Sequence, residues 1–364
     1  MTGDSSLAGG PAGPVRAIVV DDSRLMRRML VSALEAEGTI KVVAEAADAA
    51  EARALIREHD PQVITLDVEM PGMNGLEFLR RLMALRPMPV VMVSTLTGQG
   101  ADISLGALEL GAVDAILKPS GRPALAPFAR RLRRLVLTAS GARVRPPSAT
   151  GADAGAAAPL PEGGRPPSRP GLLAMGASTG GVAALTEVLR RLPADAPPVV
   201  LAQHMPAAFT ARFAARLDKL LPLRVTEARG GEVLEPGTVL VAPGDRHLRV
   251  RSDGAALVAL LEESGPISGH RPSVDVLFHS VATAAGPTAV GVLLTGMGRD
   301  GAAGMHAMRT AGAWCIGQSE DSCVVYGMPR AARALGSCHE ELDPPAIGAR
   351  ISGLLRRAGS SAPV

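Results

Sequence analysis

The sequence alternates short apolar runs with segments of helical periodicity, and this alternation restricts the fold more than any other feature of the chain. Strands that are buried on both faces of a parallel sheet read as nearly continuous apolar runs. Such runs lie at residues 17–20, 42–44, 63–66, 90–93 and 115–117, and helical patterns lie at 23–37, 49–58, 75–85, 103–110 and 124–138. The pattern predicts a doubly wound, five-stranded parallel α/β domain.

A second α/β region is predicted between residue 171 and about residue 356. Its strand-like runs lie at 172–175, 199–202, 238–242, 289–294 and 314–317, and its helical patterns lie at 182–191, 209–221, 274–284 and 301–311. The same reasoning predicts a second α/β domain with a mostly parallel sheet covered by helices.

A stretch of different composition separates the two regions. Residues 139–170 contain seven prolines and five glycines, with only Val144 and Leu160 as large apolar side chains. Such a segment cannot form a core and is typical of an interdomain linker. We therefore expect five parts, namely a tail at 1–14, a first domain at 15–138, a linker at 139–170, a second domain at 171–357 and a tail at 358–364.

Charge and cysteine content limit the kinds of partner. Residues 15–138 carry 16 basic and 15 acidic groups, and residues 171–364 carry 18 and 17, so neither region has the excess of positive charge expected of a nucleic-acid-binding domain. Three cysteines without C-x-x-C spacing predict reduced thiols in a cytoplasmic protein. The uncharged stretch 280–298 is interrupted by Gly286-Pro287, so no membrane insertion is expected. The N-terminal residues lack a basic region followed by an apolar core, so no secretion signal is expected.

Polar side chains end the predicted strands of the first domain. Asp21 and Asp22 follow the first strand, Asp67 the third, Ser94 the fourth and Lys118 the fifth. Because the carboxyl ends of parallel strands meet at one edge of the sheet, these groups should converge. Clustered carboxylates favour a hard cation such as Mg²⁺, and a lysine and a hydroxyl beside them suit a phosphoryl group on one carboxylate.

These residues resemble the receiver domains of bacterial response regulators, with which the segments Asp21-Asp22, 67–75, Ser94-Thr95 and Lys118-Pro119 agree. The resemblance implies the following roles. Asp67 would be the phosphorylated residue, Asp21, Asp22, Asp67 and the Glu69 carbonyl would hold Mg²⁺, and Ser94 and Lys118 would bind the phosphoryl oxygens. One position departs from the pattern, because Ala115 stands where many receivers have an aromatic switch residue.

The second domain begins with a strand, a small-residue turn and a helix start. Residues 176–180 read Gly-Ala-Ser-Thr-Gly and match the nucleophile-elbow pattern G-x-S-x-G, which exposes Ser178 at the tip of the turn. The motif alone leaves three possibilities open, namely a nucleophile, a phosphate-binding loop and a close-packed turn.

A histidine and an aspartate follow neighbouring strands. His204 ends the second apolar run of this domain, and Asp300 lies in a glycine-containing loop after the fourth. Serine, histidine and aspartate at one edge of a sheet can activate a hydroxyl group, although the chain order differs from that of α/β-hydrolases. The candidates that compete with His204 and Asp300 are His247, His270, His279, His306, Asp245 and Asp275.

Five segments of this domain resemble the catalytic domain of chemotaxis protein-glutamate methylesterases, the CheB family. They are residues 176–181, 203–206, 242–247, 270–275 and 295–301. The resemblance implies that Ser178 is the nucleophile, His204 the base and Asp300 the acid that orients it, and that the Met297 amide helps to hold the oxyanion. No cofactor is implied for this domain.

The resemblance also implies an activity and partners. It indicates a phosphorylation-regulated hydrolase that demethylates glutamate methyl esters on the cytoplasmic parts of methyl-accepting chemoreceptors, releases methanol, deamidates receptor glutamines and acts in chemotaxis adaptation. The phosphodonor would be a chemotaxis histidine kinase.

Two rival functions remain open from the residues alone. A response regulator can carry a non-catalytic output domain that binds nucleic acid or protein, but no helix-turn-helix pattern or basic excess supports this reading. A nucleotide-binding domain could use residues 176–181 as a phosphate loop, but that stretch lacks both the lysine of a P-loop and the third glycine of G-x-G-x-x-G.

Overall fold

A computed structural model describes residues 13–70, 72–95, 98–119, 121–144, 166–167, 169–254 and 256–359. The chain divides into two compact units, and the boundary between them follows Val144. Most of the predicted linker at 139–170 lies outside the described residues, and its first two residues belong to the last helix of the first unit. The predicted domain limits stay predictions.

The first unit alternates strands and helices throughout. Its elements are β1 (Val15–Val20), α1 (Arg24–Glu35), β2 (Ile40–Ala46), α2 (Ala49–His59), β3 (Val63–Asp67), α3 (Gly75–Leu85), β4 (Val90–Ser94), α4 (Gly98–Glu109), β5 (Asp114–Leu117) and α5 (Leu125–Ser140). The five strands pair in parallel in the order β2-β1-β3-β4-β5, which confirms the predicted doubly wound sheet. The order reverses between β1 and β3, where such folds place their functional groups.

Local capping explains where three of these helices begin. The side chains of Ser23, Asp48 and Asn74 accept hydrogen bonds from the free backbone amides at the starts of α1, α2 and α3. Helix α4 begins at Gly98, five residues before the predicted start at Ile103. Its first turn is rich in glycine, which has low helix propensity, so the sequence pattern does not reveal where this helix begins.

The second unit contains nine further strands and six further helices within the described residues. They are β6 (Leu172–Ala177), α6 (Gly181–Leu189), β7 (Val199–Gln203), α7 (Ala207–Leu220), β8 (Arg224–Glu227), β9 (Thr238–Val241), β10 (His247–Asp253), β11 (Ala256–Glu262), α8 (Val274–Ala284), β12 (Ala289–Leu293), α9 (Ala302–Thr310), β13 (Trp314–Gln318), α10 (Met328–Ala334), β14 (Glu340–Leu342) and α11 (Pro344–Gly359). Seven strands form one sheet in the order β14-β13-β12-β6-β7-β9-β8, and every pairing is parallel.

Several elements of this unit are absent from the pattern-based prediction. Strands β8 and β14 lie at the two edges of the sheet and are short and partly polar, so they lack the apolar run that marks a buried strand. The antiparallel hairpin β10–β11 stands apart from the main sheet. Helices α10 and α11 are also missing from the prediction.

The centre of the second sheet is fully apolar. All residues of β6 and β12 are buried, and the strand order reverses between these two neighbours. The three cysteines are free thiols, as predicted, and all three are buried. Within the described residues, no helix is long and apolar enough to cross a membrane.

Candidate functional site

The carboxyl edge of the first sheet gathers the predicted acidic groups. Carboxylate oxygens of Asp21, Asp22 and Asp67 lie within 4.8 Å of one another. The Lys118 ammonium nitrogen lies 2.8 Å from Asp21 Oδ2 and 2.9 Å from Asp67 Oδ2. The aspartates therefore follow β1 and β3, the strands on the two sides of the topological reversal, and the lysine follows β5.

Two buried polar atoms of candidate residues at this edge have neither a hydrogen-bond partner nor an ion-pair partner within the described chain. They are Asp67 Oδ1 and the hydroxyl oxygen of Ser94, whose residues are 2% and 0% exposed. Buried polar atoms without partners are costly, so this arrangement fits a site that receives a ligand. The exposed side chain of Glu69 accepts a hydrogen bond from the Thr95 hydroxyl. Ala115 is buried in β5.

The charges at this edge influence one another. Burial raises the pKa of Asp67, and the adjacent Lys118 only partly offsets this effect. For Lys118 itself, burial lowers the pKa, but the hydrogen bonds to Asp21 and Asp67 outweigh it and the net shift is upward. Lys118 is therefore a permanent positive charge beside Asp67.

The turn that carries Ser178 lies at the topological reversal of the second sheet. Ser178 follows β6 directly, is half-buried, and donates its backbone amide to Thr295 O at 3.0 Å. The left-handed conformation of the turn falls on Gly180, with φ of 78°, and α6 starts at Gly181. The predicted strand, turn and helix start are confirmed.

His204 and Asp300 form a buried pair beside this turn. His204 follows β7 and donates its backbone amide to Ala177 O at 3.1 Å. Its Nε2 lies 2.8 Å from Asp300 Oδ2, with side-chain exposures of 7% and 1%. His204 Nδ1 has no hydrogen-bond partner among the described residues. The pair thus leaves one imidazole nitrogen available as a base.

The amino-terminal end of α8 anchors the Asp300 carboxylate. Ser273 Oγ donates to Oδ1 at 2.7 Å, the Val274 amide donates to Oδ2 at 2.7 Å, and the Asp275 amide donates to Oδ1 at 3.2 Å. Burial raises the pKa of Asp300, but the hydrogen bonds from His204, Ser273 and Val274 lower it more, to about 2. Asp300 therefore stays ionised at any physiological pH.

This anchoring predicts an acid-dependent contribution to stability. A carboxylate whose folded pKa lies below its unfolded value of about 3.9 stabilises the fold above that pH, and the contribution is lost as the pH falls towards 2. Near neutral pH, the free energy of unfolding of Asp300→Asn should therefore be lower than that of wild type by on the order of 2 kcal/mol. This difference in stability should narrow below about pH 4. Differential scanning calorimetry over this pH range measures the difference. A difference that stays constant in acid would contradict the anchoring.

The competing candidates have other contacts. His247 is fully buried, accepts the Ser273 amide at Nδ1 over 3.0 Å, and contacts Gly265 O through Nε2 at 3.1 Å. Asp275 accepts the Gly304 amide at 2.7 Å and so links α8 to the start of α9. Of the other four candidates, His270 stacks on His204, and His279, His306 and Asp245 are exposed on the surface.

The loop after β12 lies against Ser178. A Cβ atom on Gly296 would lie 2.7 Å from Ser178 Cβ, so only glycine allows this approach. Thr295 fixes the loop, because its hydroxyl donates to Thr179 O at 3.0 Å and its amide donates to Gln318 Oε1 at 2.8 Å. Met297 directly follows Gly296 in this loop.

Three residues of the site were missed as functional candidates or left unranked by the sequence reasoning. Gln203 Nε2 donates to Ser178 O at 2.9 Å and steadies the turn. The ring of His270 stacks on that of His204, with centroids 3.8 Å apart. Ser273 binds Asp300, and its position directly before a helical pattern was a visible sign of a helix cap.

A doubly wound domain with an acidic edge, followed by an α/β domain with a serine beside a histidine–aspartate pair, defines a response regulator with a hydrolase-type output domain. The sequence profile of the response regulator receiver domain matches residues 17–129, and that of the CheB methylesterase matches residues 173–351. The chain belongs to the CheB family of two-domain methylesterases, as the resemblance in the sequence indicated.

Relatives match over nearly the whole chain. A protein-glutamate methylesterase/protein-glutamine glutaminase 2 of Bordetella avium (strain 197N) is 50% identical over 350 residues, which covers 95% of this chain and 97% of the relative. A protein-glutamate methylesterase/protein-glutamine glutaminase of Salmonella typhimurium (strain LT2) is 48% identical over 332 residues, 90% and 93% of the two chains. The crystal structure of the Thermotoga maritima CheB methylesterase catalytic domain is 34% identical, with a TM-score of 0.50, and covers 51% of this chain and 98% of that domain.

Proposed function

We propose that this protein hydrolyses glutamate γ-methyl esters on the cytoplasmic parts of methyl-accepting chemoreceptors, that it also deamidates receptor glutamines, and that it acts in chemotaxis adaptation. The names of the relatives that match over nearly the whole chain support this activity. The observation that carries the proposal is the 2.8 Å contact between His204 Nε2 and Asp300, next to the turn that contains Ser178.

The acylation half of the reaction follows from these groups. Ser178 Oγ attacks the γ-carbonyl carbon while its proton passes to His204 Nδ1, the ring nitrogen that has no partner in the described chain. Asp300 holds the other nitrogen and stabilises the imidazolium. The Met297 amide donates to the oxyanion, an interaction worth ~10²- to 10³-fold in rate. Collapse of the tetrahedral intermediate breaks the bond to methoxide, which takes the proton from His204 and leaves as methanol.

The deacylation half uses the same groups in reverse. A water molecule gives its proton to His204 Nδ1 and attacks the acyl carbon, and Ser178 Oγ then leaves and recovers the proton. The product is a free glutamate carboxylate. A glutamine side chain follows the same route, with ammonia in place of methanol, so one site serves both activities. A positioned base of this kind contributes ~10²- to 10⁴-fold.

The receiver unit is proposed to control this activity through Asp67. Asp21, Asp22, Asp67 and the Glu69 carbonyl would hold Mg²⁺, which supplies charge neutralisation for the transferred phosphoryl group when bound. The three clustered carboxylates are a donor set of the right kind. Lys118 and Ser94 would bind the phosphoryl oxygens, and a chemotaxis histidine kinase would be the phosphodonor. The proposed compartment is the cytoplasm, where free thiols persist.

Phosphorylation should raise methanol release by ~10-fold, a typical coupling between two sites. Membranes that contain methylated chemoreceptors are the substrate, with Mg²⁺ and acetyl phosphate as a small phosphodonor. Asp67→Asn should keep the basal rate and lose the response, because an amide cannot accept the phosphoryl group. Asp60→Asn, an exposed acid in the same unit, is the matched control and should respond as wild type does. A response that persists in Asp67→Asn would remove Asp67 from this role.

A further inference from the structure

A second imidazole covers the face of the His204 ring. The ring of His270 lies parallel to it, with an interplanar angle of 5° and a centroid separation of 3.8 Å. These values describe direct face-to-face contact between the two rings. His270 comes from a loop that precedes α8, whereas His204 follows β7, so the stacking joins two elements that are distant in sequence.

His270 is the last residue of a tight turn that backbone hydrogen bonds close. Ile267 and His270 exchange backbone hydrogen bonds of 3.0 and 2.9 Å, and the two central residues, Ser268 and Gly269, have positive φ angles of 53° and 79°. Positive φ at both central positions is the geometry of a type I′ turn, which few residues other than glycine, asparagine and aspartate adopt readily. The turn thus holds His270 in one backbone position.

Two side chains contact the residues that precede this turn. Arg271 donates to Ser264 O at 3.1 Å, and His247 Nε2 contacts Gly265 O at 3.1 Å. The other nitrogen of His247 accepts the amide of Ser273, the residue whose hydroxyl binds Asp300. The turn and the Asp300 anchor are therefore attached to the same buried imidazole.

The proposed base needs such support. The His204 ring has a hydrogen bond at Nε2 and none at Nδ1 within the described residues, so its hydrogen bonds restrain only one end of the ring. Nδ1 must meet Ser178 Oγ and then the leaving group, and misplacement of a catalytic group by about 1 Å can cost ~10²-fold in rate. Because the flat ring of His270 contacts one face of the His204 imidazole, it restricts rotation of that imidazole about the Cβ–Cγ bond.

We propose that His270 is a positioning residue for the hydrolysis reaction, and that its stacked ring holds His204 with Nδ1 towards Ser178. His270 acts through His204 and exchanges no proton with the substrate. The inference rests on the proposed function, in which His204 is the base.

The test compares His270→Ala, which removes the ring, with His270→Phe, which restores a flat ring without nitrogen. kcat and KM for methanol release are measured on methylated receptor membranes with acetyl phosphate and Mg²⁺. We expect His270→Ala to lower kcat by ~10- to 100-fold with little change in KM, and His270→Phe to recover most of kcat. His279→Ala, an exposed histidine on α8, is the matched control and should leave kcat unchanged.

Each alternative outcome overturns the proposal. A His270→Phe rate as low as that of His270→Ala would mean that the imidazole nitrogens matter, and a raised KM at constant kcat would make His270 a substrate contact. If His270→Ala fails to fold, His270→Phe still decides, because a folded variant with a low kcat excludes stacking as the cause. The variant His204→Ala distinguishes a failure of the proposed function from a failure of the positioning role. If it stays active, the proposed base is wrong, and if it is inactive while His270→Ala is normal, only the positioning role fails.

Discussion

Ser178→Ala should abolish methanol release from methylated chemoreceptors, with a fall in kcat on the order of 10⁴-fold or more. Without the hydroxyl no acyl-enzyme can form, and only the oxyanion donor and substrate binding remain to assist water. The fold should be unaffected, because the contacts that position this residue come from its backbone: the Ser178 amide binds Thr295 O, and its carbonyl accepts Gln203 Nε2.

Methanol in the headspace above receptor membranes, measured by gas chromatography, gives the rate. Ser252→Ala is the matched control, since Ser252 is an exposed serine on the hairpin and should have no effect. Ammonia release from glutamine-bearing receptors should vanish together with methanol release in Ser178→Ala, because both reactions need the same nucleophile. A variant that still releases methanol at a rate near that of wild type would refute the serine mechanism, and persistent ammonia release alone would assign deamidation to another site.

The positions of the candidate groups could be predicted because parallel strands end at one edge of their sheet. Asp21 and Asp67 follow strands that the apolar runs identify, and Ser178 and His204 do the same in the second unit. In both units the strand order reverses next to these residues, which opens a crevice there. The pattern of the sequence therefore locates the sites before any side-chain contact is known.

The groups that orient the catalytic side chains could not be predicted in the same way. Ser273 and His270 act on residues that lie 27 and 66 positions away in the chain, and these approaches depend on how α8 packs beside β6 and β12. Neither residue follows an apolar strand, so neither could be located from the carboxyl end of a strand, as Ser178 was. His270 also lies in a segment without secondary-structure periodicity, where a lone histidine gives no signal of its own.

Edge elements were missed for a related reason. β8 and β14 have a neighbour on one side only, so they need no continuous apolar run, and their polar residues resemble those of loops. Tertiary pairing with β9 and β13 makes them strands. Their absence from the prediction did not affect the site of the second unit, because Ser178, His204 and Asp300 follow β6, β7 and β12, which all lie inside this sheet.

Asp300→Asn should lower kcat for methanol release by ~10³- to 10⁴-fold. All four groups around this carboxylate are donors or can act as donors: His204 Nε2, Ser273 Oγ and the amides of Val274 and Asp275. The amide nitrogen of asparagine must face one of them. If it faces His204, Nε2 becomes the acceptor and the proton moves to Nδ1, which then cannot take the proton of Ser178.

The matched control for this variant is Asp245→Asn, which changes a largely exposed aspartate of the same unit and should leave kcat unchanged. Calorimetry on the same samples near neutral pH shows whether the altered protein is folded before its rate is compared. Because the expected defect lies in the tautomer of His204 and not in substrate binding, KM for the methylated receptor should stay close to that of wild type. A kcat within tenfold of wild type in a folded Asp300→Asn protein would show that the carboxylate stabilises the fold without orienting the base.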